Sequence, residues 1–537
     1  MYSHKNVCVI GAGASGLCSI KCCLDAGFKV TCYEQSDSIG GLWKYRDEDV
    51  DGIASVARST VINSSKEMSA YSDFPPPPEF ANYMHNTKMF EYFEMYAKQF
   101  DLQDHIQFER KIIRCEKNDT NEAGLWKITT QNTKTKETHH NVYDAVMVCT
   151  GHHVKPLVPS FQGQEKFKGQ IIHSHSYKKP LPYDDKTVVV VGIGNSGGDI
   201  AVELSSLSKK VYHSIRRGNW SIWRSGSNGY PTDSEYIRRS KNFMTEILPF
   251  EMTLASYEKL INGRVDHELY GLKPKHRVLG QHLFVNDIHP NKILNGTIVL
   301  KNGIKEFTEN GVIFEYETKE TPCDAVILAT GYDIHFPFLD KDIVWSEDGR
   351  ISLYKHVFSP RLEHPDSLSI IGMIQPLGPL VPISELQARW HVEILKGNRK
   401  LPDKETMLED IKKKRDELDK RYYKSPRHLI QVDFLPFMDE LASEIGAKPN
   451  LFKILFTDFI LWYHLWFGPS LSYQYRLDGP HSWPGAREAI LTWKPRVEAA
   501  FKTRKPDTEP ECKTSTMNHI IILCLPILFW IIFQFFQ

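Results

Sequence analysis

The chain has 537 residues, 41% of them apolar and 25% charged, and its 66 basic side chains balance 66 acidic ones to a formal net charge of zero. That length suits several domains rather than one core, and the composition is that of a globular protein. The charge balance excludes a globally basic nucleic-acid binder.

Residues 5–34 follow a strand–turn–helix–strand plan: KNVCVI, GAGASG, LCSIKCCLDAGF, KVTCYE. Gly27 fits a helix stop. The run from Met1 into this strand has no charged start and no cleavable apolar run, so it is not a signal peptide. In the turn Gly11-x-Gly13-x-x-Gly16, Gly11 permits the sharp bend and Gly13 lets backbone approach a pyrophosphate. Gly16 lets the helix pack on the strand. The helix N-terminus, with Ala12, Ala14 and Ser15 in the turn, then offers free N–H groups to phosphate. Glu34 lies 18 residues beyond Gly16, near the spacing of about 20 expected for a carboxylate that accepts from a ribose 2′-hydroxyl. This site suits FAD or NAD.

An apolar strand follows at Asp144–His152. Residues 187–216 repeat the first plan, with Gly192-x-Gly194-x-x-Gly197 in the turn. Arg216 and Arg217 stand where an acidic residue is expected, and a guanidinium binds a 2′-phosphate that a carboxylate would repel. The second site therefore suits NADP. Another apolar strand runs through Asp324–Asp333. The two added strands either close one sheet each or both return the chain to the first domain. Residues 223–300 read as an irregular insertion, either a substrate gate or a membrane contact. Residues 405–425 read as a solvated charged helix. Phe452–Gly468, interrupted by Lys453, Asp458 and His464, reads as a core or membrane-surface helix. Ile520–Phe536 is an uncharged run of 17 residues, near the lower end of the roughly 17–25 that span a bilayer. Lys502, Arg504, Lys505 and Lys513 on its body side agree with a cytosolic body.

Ten cysteines occur without a Cys-x-x-Cys pair. That argues against a thioredoxin-like pair and a zinc knuckle, and no metal is expected. They read as reduced, buried thiols. Two dinucleotides in one chain need a reason. NADPH can pass a hydride to FAD, and a reduced flavin can then react with oxygen, a disulfide or an electron acceptor. Without a Cys-x-x-Cys pair, oxygen chemistry or electron export remains.

Between the glycine units stands Phe167-x-Gly169-x-x-x-His173-x-x-x-Tyr177, the FxGxxxHxxxY fingerprint of class B flavoprotein monooxygenases. With GAGASGL, EQSDSIGGLW, NSSKEMSAYSDFP, VGIGNSGGDIA, HELYGLKPKHR, LATGYDIHFPFL, IQPLGPLVPISELQARW and GPHSWPGARE, the chain resembles the animal, microsomal flavin-containing monooxygenases over almost its whole length. The resemblance implies an α/β fold with two Rossmann-like domains, for FAD and NADPH, an insertion and a C-terminal hydrophobic membrane helix. The expected order is residues 1–165 FAD domain, 166–222 NADPH domain, 223–300 insertion, 301–330 NADPH return, 331–445 FAD second part, 446–516 helical region and linker, 517–537 membrane anchor. It implies FAD at Gly11–Ser15, Glu34, Gln35, Gly41, Leu42 and Trp43, and NADPH at Asn195, Ser196, Gly197, Gly198 and Asp199. Asn63, beside Ile62, corresponds to the family's active-site asparagine. His173 and Tyr177 tie the interdomain linker rather than touch substrate.

The implied reaction is oxygen transfer from a C4a-hydroperoxyflavin to small lipophilic amines and sulfides, with O2 as co-substrate, at an endoplasmic reticulum membrane and with the body facing the cytosol. Baeyer–Villiger oxygenation of ketones and an NADPH oxidase releasing hydrogen peroxide are the alternatives. No nucleic-acid partner is expected, and the choice between monomer and homo-oligomer stays open. The four-proline loop SDFPPPPEF departs from the animal pattern.

Overall fold

Each glycine-rich unit becomes the centre of a five-stranded parallel sheet in the computed structural model, which describes residues 5–118, 124–422 and 429–504. The first sheet runs in the order Leu368–Ile370, Ala145–Val148, Asn6–Ile10, Lys29–Tyr33, Ile106–Gln107. The second runs Ile298–Lys301, Lys210–Ser214, Thr187–Val191, Ala325–Leu328, Gln170–His173. The central strands NVCVI and TVVVV are near-continuous apolar runs because parallel sheets are covered on both faces. The two added apolar strands therefore close one sheet each: Ala145–Val148 lies beside the first glycine strand and Ala325–Leu328 beside the second.

The chain leaves the first domain, builds the second and returns. The outgoing strand Lys155–Pro156 pairs antiparallel with the returning Tyr332–Asp333, and Leu157 N donates to Gly331 O at 2.9 Å. After Leu368–Ile370 rejoins the first sheet, helix Val381–Leu395 runs wholly buried beside helix Ala14–Asp25. Its Glu385 meets Arg476 at 2.5 Å, and Asp73 joins Arg476 to Lys21 with 2.9 Å contacts on each side.

Two expectations need correction. Residues 223–300 are not irregular: they hold helices Arg239–Ile247 and Phe250–Asn262, and strand Phe284–Val285 pairs with Ser221–Ile222. Phe250–Asn262 buries Thr253, Leu254 and Ile261 but exposes Phe250, Met252 and Leu260, so apolar residues on all sides blur the helical period. The insertion also stops short of 300, because Ile298–Lys301 is the edge strand of the second sheet. Phe452–Gly468 is two helices, Leu451–Thr457 and Phe459–Phe467. Asp458 breaks the run and caps the second helix by accepting from Leu461 N at 3.0 Å. Both readings of this stretch hold in part: Ile454, Leu461 and Leu465 are buried in the first domain's core, while Phe452, Phe456 and Ile460 are 75%, 74% and 61% exposed. The charged helix falls at Lys404–Arg421 and buries only Met407 and Ile411.

Eight of the cysteines are free and buried. Cys512, Cys524 and the anchor expected at 517–537 lie outside the described residues. Among the described residues no helix is long and apolar enough to cross a membrane.

Candidate active site

The two turns are built alike. Gly11 has φ +98° and Gly192 φ +108°, and a side chain at either would press on a backbone carbonyl, of Cys149 or Ala329. Gly11 N donates to Tyr33 O at 2.8 Å and Gly192 N to Ser214 O at 2.9 Å. A methyl on Gly16 would overlap the Gly11 carbonyl, and one on Gly197 the Gly192 carbonyl. Helices Ala14–Asp25 and Asn195–Leu204 start at Gly13 and Gly194 with no side-chain cap and no acidic residue in the first turn. Their leading N–H groups are thus left to an anion. Space is open at the missing side chain of Gly194. Both cradles fit a dinucleotide pyrophosphate.

At the first turn, Glu34 is buried and braces the loop. One carboxylate oxygen accepts from Ala12 N at 2.8 Å and the other from Ser36 N at 2.8 Å. A carboxylate has roughly four acceptor positions, so capacity for a ribose hydroxyl remains. Gly41–Trp43 form a 3-10 turn against the loop. Gly40 N donates to Ala12 O at 3.0 Å, and a methyl on Gly41 would stand 3.2 Å from Gly13 Cα. Gln35 Nε2 donates to Gly52 O. The structure therefore gathers Gly11–Gly16, Glu34 and Gly41–Trp43 at one place.

At the second turn, Asn195 Oδ1 accepts from Val285 N at 2.9 Å, and Asp199 Oδ1 accepts from Asn286 Nδ2 at 2.7 Å. Burial pushes the Asp199 carboxyl up to about 6. Gly198 lies against the Phe284 ring, and Ser196 is exposed on the first helical turn. The register corrects one expectation. Ser214 is the counterpart of Tyr33, so Ile215 occupies the position of Glu34 and Arg216 that of Gln35. Arg216 and Arg217 are exposed one and two residues further along the rim.

Asn63 sits in a loop fastened from several sides. Ile62, in the first domain's core, donates its N–H to Met84 O at 3.0 Å. Arg224 Nη2 donates to Asn63 Oδ1 at 2.6 Å, and Ser65 N donates to Asp233 Oδ2 at 2.6 Å. Buried Lys66 donates to the carbonyls of Pro78 (2.5 Å), Phe80 (2.9 Å) and Arg496 (3.1 Å), which clamps the four-proline loop to the Asn63 loop. Arg224, Asp233 and Lys66 escaped sequence reasoning. Lys66 follows Asn63 in a segment with no period, and Arg224 and Asp233 reach it from the insertion.

Of the fingerprint, His173 reaches the returning linker, whereas the Tyr177 hydroxyl bonds within the second domain rather than to the linker. The Phe167 ring fills the space over Gly169, and the Asp324 carbonyl closes it from another side. His173 ends its strand with Nε2 3.0 Å from Gly331 O, while Nδ1 accepts from His175 N at 3.1 Å. That fixes a neutral ring, and burial lowers its pKa to about 4. Tyr177 donates to Glu203 Oε2 at 2.7 Å, on the helix of the second turn.

Known proteins resemble the chain along almost its whole length. Residues 4–537 match the flavin-binding monooxygenase-like family. The chain is 48% identical over 509 residues to flavin-containing monooxygenase 5 of Cavia porcellus, covering 94% of this chain and 95% of that one. It is 46% identical over 503 residues to dimethylaniline monooxygenase (N-oxide-forming) 2 of Oryctolagus cuniculus, covering 93% and 94%. Among solved structures, the S-allyl-L-cysteine S-oxygenase of Allium sativum shares the fold with a TM-score of 0.62 at 23% identity, over 84% of this chain and 92% of that one.

Proposed function

Because the chain belongs to the flavin-binding monooxygenase-like family, and is thus a flavin-dependent oxidoreductase, we propose that it uses NADPH and O2 to place one oxygen atom on small lipophilic soft nucleophiles, tertiary amines and sulfides. FAD belongs at the first turn and NADPH at the second. The observation that carries this reading is the joint between them: Asn63, on the first domain, is hydrogen-bonded at 2.6 Å to Arg224, which extends from the second. The N-oxide-forming relative supports nitrogen as one target.

A flavin held at the first turn and reduced by NADPH would supply the activated oxygen. The chain contributes position and polarity. The N–H groups of the two turns hold the pyrophosphates. Glu34 braces the first turn, and the rim arginines Arg216 and Arg217 suit a 2′-phosphate. Asn63 offers an amide to the reacting oxygen, and the packed loop around Ile62 and Lys66 keeps water out. No proton-transfer triad is required, since the nucleophile carries its own lone pair; preorganised donors and a dry site are what the reaction needs.

We further place the body at a membrane of the endoplasmic reticulum, on its cytosolic side. The support is the apolar run at 520–536 together with an exposed apolar face. Phe452, Phe456 and Ile460 lie on one side of that face, and Met244 (48%), Ile247 (57%) and Met252 (60%) belong to the insertion helices. The Phe243 and Trp466 rings join the two groups at 5.6 Å.

The test uses purified full-length chain with FAD, given NADPH and air with a tertiary amine, a sulfide and a cyclic ketone side by side. N-oxide and sulfoxide in near-stoichiometric yield on NADPH are expected. Lactone as the main product would establish the Baeyer–Villiger reading instead, and hydrogen peroxide alone the oxidase reading.

A further inference from the structure

We propose that Arg224 is a positioning residue that fixes Asn63 as a hydrogen-bond donor in the reaction space. The inference rests on the reading of Asn63 as the active-site amide and adds what sets its polarity.

A guanidinium carries five N–H donors and no acceptor. The Asn63 atom that meets Arg224 Nη2 at 2.6 Å must therefore be Oδ1. The bond is short, as charge-assisted pairs are. With Oδ1 committed, the Nδ2 hydrogens point elsewhere, and among the described residues they have no partner. An unrestrained asparagine has a broad, roughly two-fold terminal torsion and would present oxygen or nitrogen nearly alike. An oxygen rich in lone pairs is stabilised only by the nitrogen face. Arg224 removes the wrong face.

Arg224 is itself held in place. Asp287 Oδ1 accepts from its backbone N–H at 3.0 Å, and Asp287 Oδ2 lies 3.3 Å from Nη1. Tyr83 donates its hydroxyl to the Arg224 carbonyl at 2.7 Å, and Nε reaches Ile62 O at 3.4 Å. Asp287 follows Asn286, whose Nδ2 bonds Asp199 on the helix of the second turn. A hydrogen-bonded path thus runs from the NADPH turn through residues 286 and 287 to Arg224 and Asn63. It reaches the amide from the cofactor domain that the reaction must consult.

The test is a double-mutant cycle on full-length, FAD-loaded protein: Asn63→Ala, Arg224→Met and the pair, with Arg224→Lys as the conservative variant. Two quantities are read. One is the fraction of consumed NADPH that appears as sulfoxide rather than hydrogen peroxide. The other, without turnover, is the NADP+ dissociation constant from perturbation of the flavin absorbance. Asn63→Ala and Arg224→Met should each lower the coupled fraction by about tenfold and weaken NADP+ several-fold. The pair should be no worse than Asn63→Ala alone, because one residue acts through the other. Arg224→Lys, still a donor to Oδ1, should keep at least half the coupling.

Additive losses, or a wild-type Arg224→Met, would overturn the role of Arg224 while leaving Asn63 standing. No effect of Asn63→Ala on either readout would overturn the reading of Asn63 itself. Asn63→Asp guards against a folding artefact. Its carboxylate keeps the Arg224 contact and offers no donor, so it should uncouple like Asn63→Ala at unchanged melting temperature. If it stays coupled, the inference fails.

Discussion

A methyl group at Gly16 or Gly197 would overlap the first glycine carbonyl of its own turn, so alanine at each position separates the two sites. Gly16→Ala should yield protein with little bound flavin, read from its absorbance spectrum. Gly197→Ala should keep its flavin and lose rapid bleaching by NADPH under anaerobic conditions. Arg216→Ala should raise the Michaelis constant for NADPH roughly tenfold or more and leave that for NADH almost unchanged, as expected for loss of one charge-assisted pair of about 1.5–3 kcal/mol. Salt should shrink the difference, because Arg216 is exposed. Equal effects on the two nucleotides would remove the reason for placing NADPH at this turn. The glycines and Glu34 were legible because each acts within a local strand–turn–helix unit. The register of Arg216 was not: the count of 18 that selects Glu34 selects Ile215 in the second unit. Arg224, Asp287 and Lys66 were hidden, because each works on a partner distant in sequence.

Among the elements, helix Val381–Leu395 is buried on every face and carries Glu385 into the protein beside Arg476, with 1% and 3% side-chain exposure. Burial alone would raise the Glu385 carboxyl, but the Arg476 and Arg389 guanidiniums and the Ser72 hydrogen bonds hold it below its usual range. Removing one partner of a buried pair costs about 3–5 kcal/mol, so Glu385→Gln should lower the melting temperature by several degrees. The sign with pH follows. A depressed folded pKa adds stability above the unfolded value of about 4.3, and that stability is lost as pH falls towards the folded one. Wild type should therefore lose stability below about pH 4 more steeply than Glu385→Gln in thermal melts. The helix itself was invisible to periodicity, since a fully buried helix has no polar face to alternate with. The split of Phe452–Gly468 was half legible. Asp458 was noticed as an interruption, but its role as a cap depends on how its carboxylate is turned.

At the scale of the whole molecule, the insertion and the helices of 451–467 form, among the described residues, an exposed apolar face. Large apolar side chains gain about 1.5–3 kcal/mol each on leaving water. A chain ending at residue 504 should therefore co-sediment with phosphatidylcholine vesicles. The triple substitution Ile247→Glu, Phe456→Glu, Ile460→Glu should cut the bound fraction at least tenfold with the flavin spectrum intact; equal binding of both forms would exclude this face as a membrane contact. Both nucleotide sheets could be read from the sequence, but the nesting of one domain inside the other shows itself only at the paired linkers. Lys155–Pro156 and Tyr332–Asp333 run side by side, and the Lys155 ammonium meets the Asp333 carboxylate at 3.0 Å. Entry and exit of the second domain are thus neighbours, so that domain is attached like a bead by both ends of one loop. Joining residue 156 to 332 with a few glycines would leave the first domain's five strands in their order, and the excised piece, its own ends adjacent, could be closed into a ring.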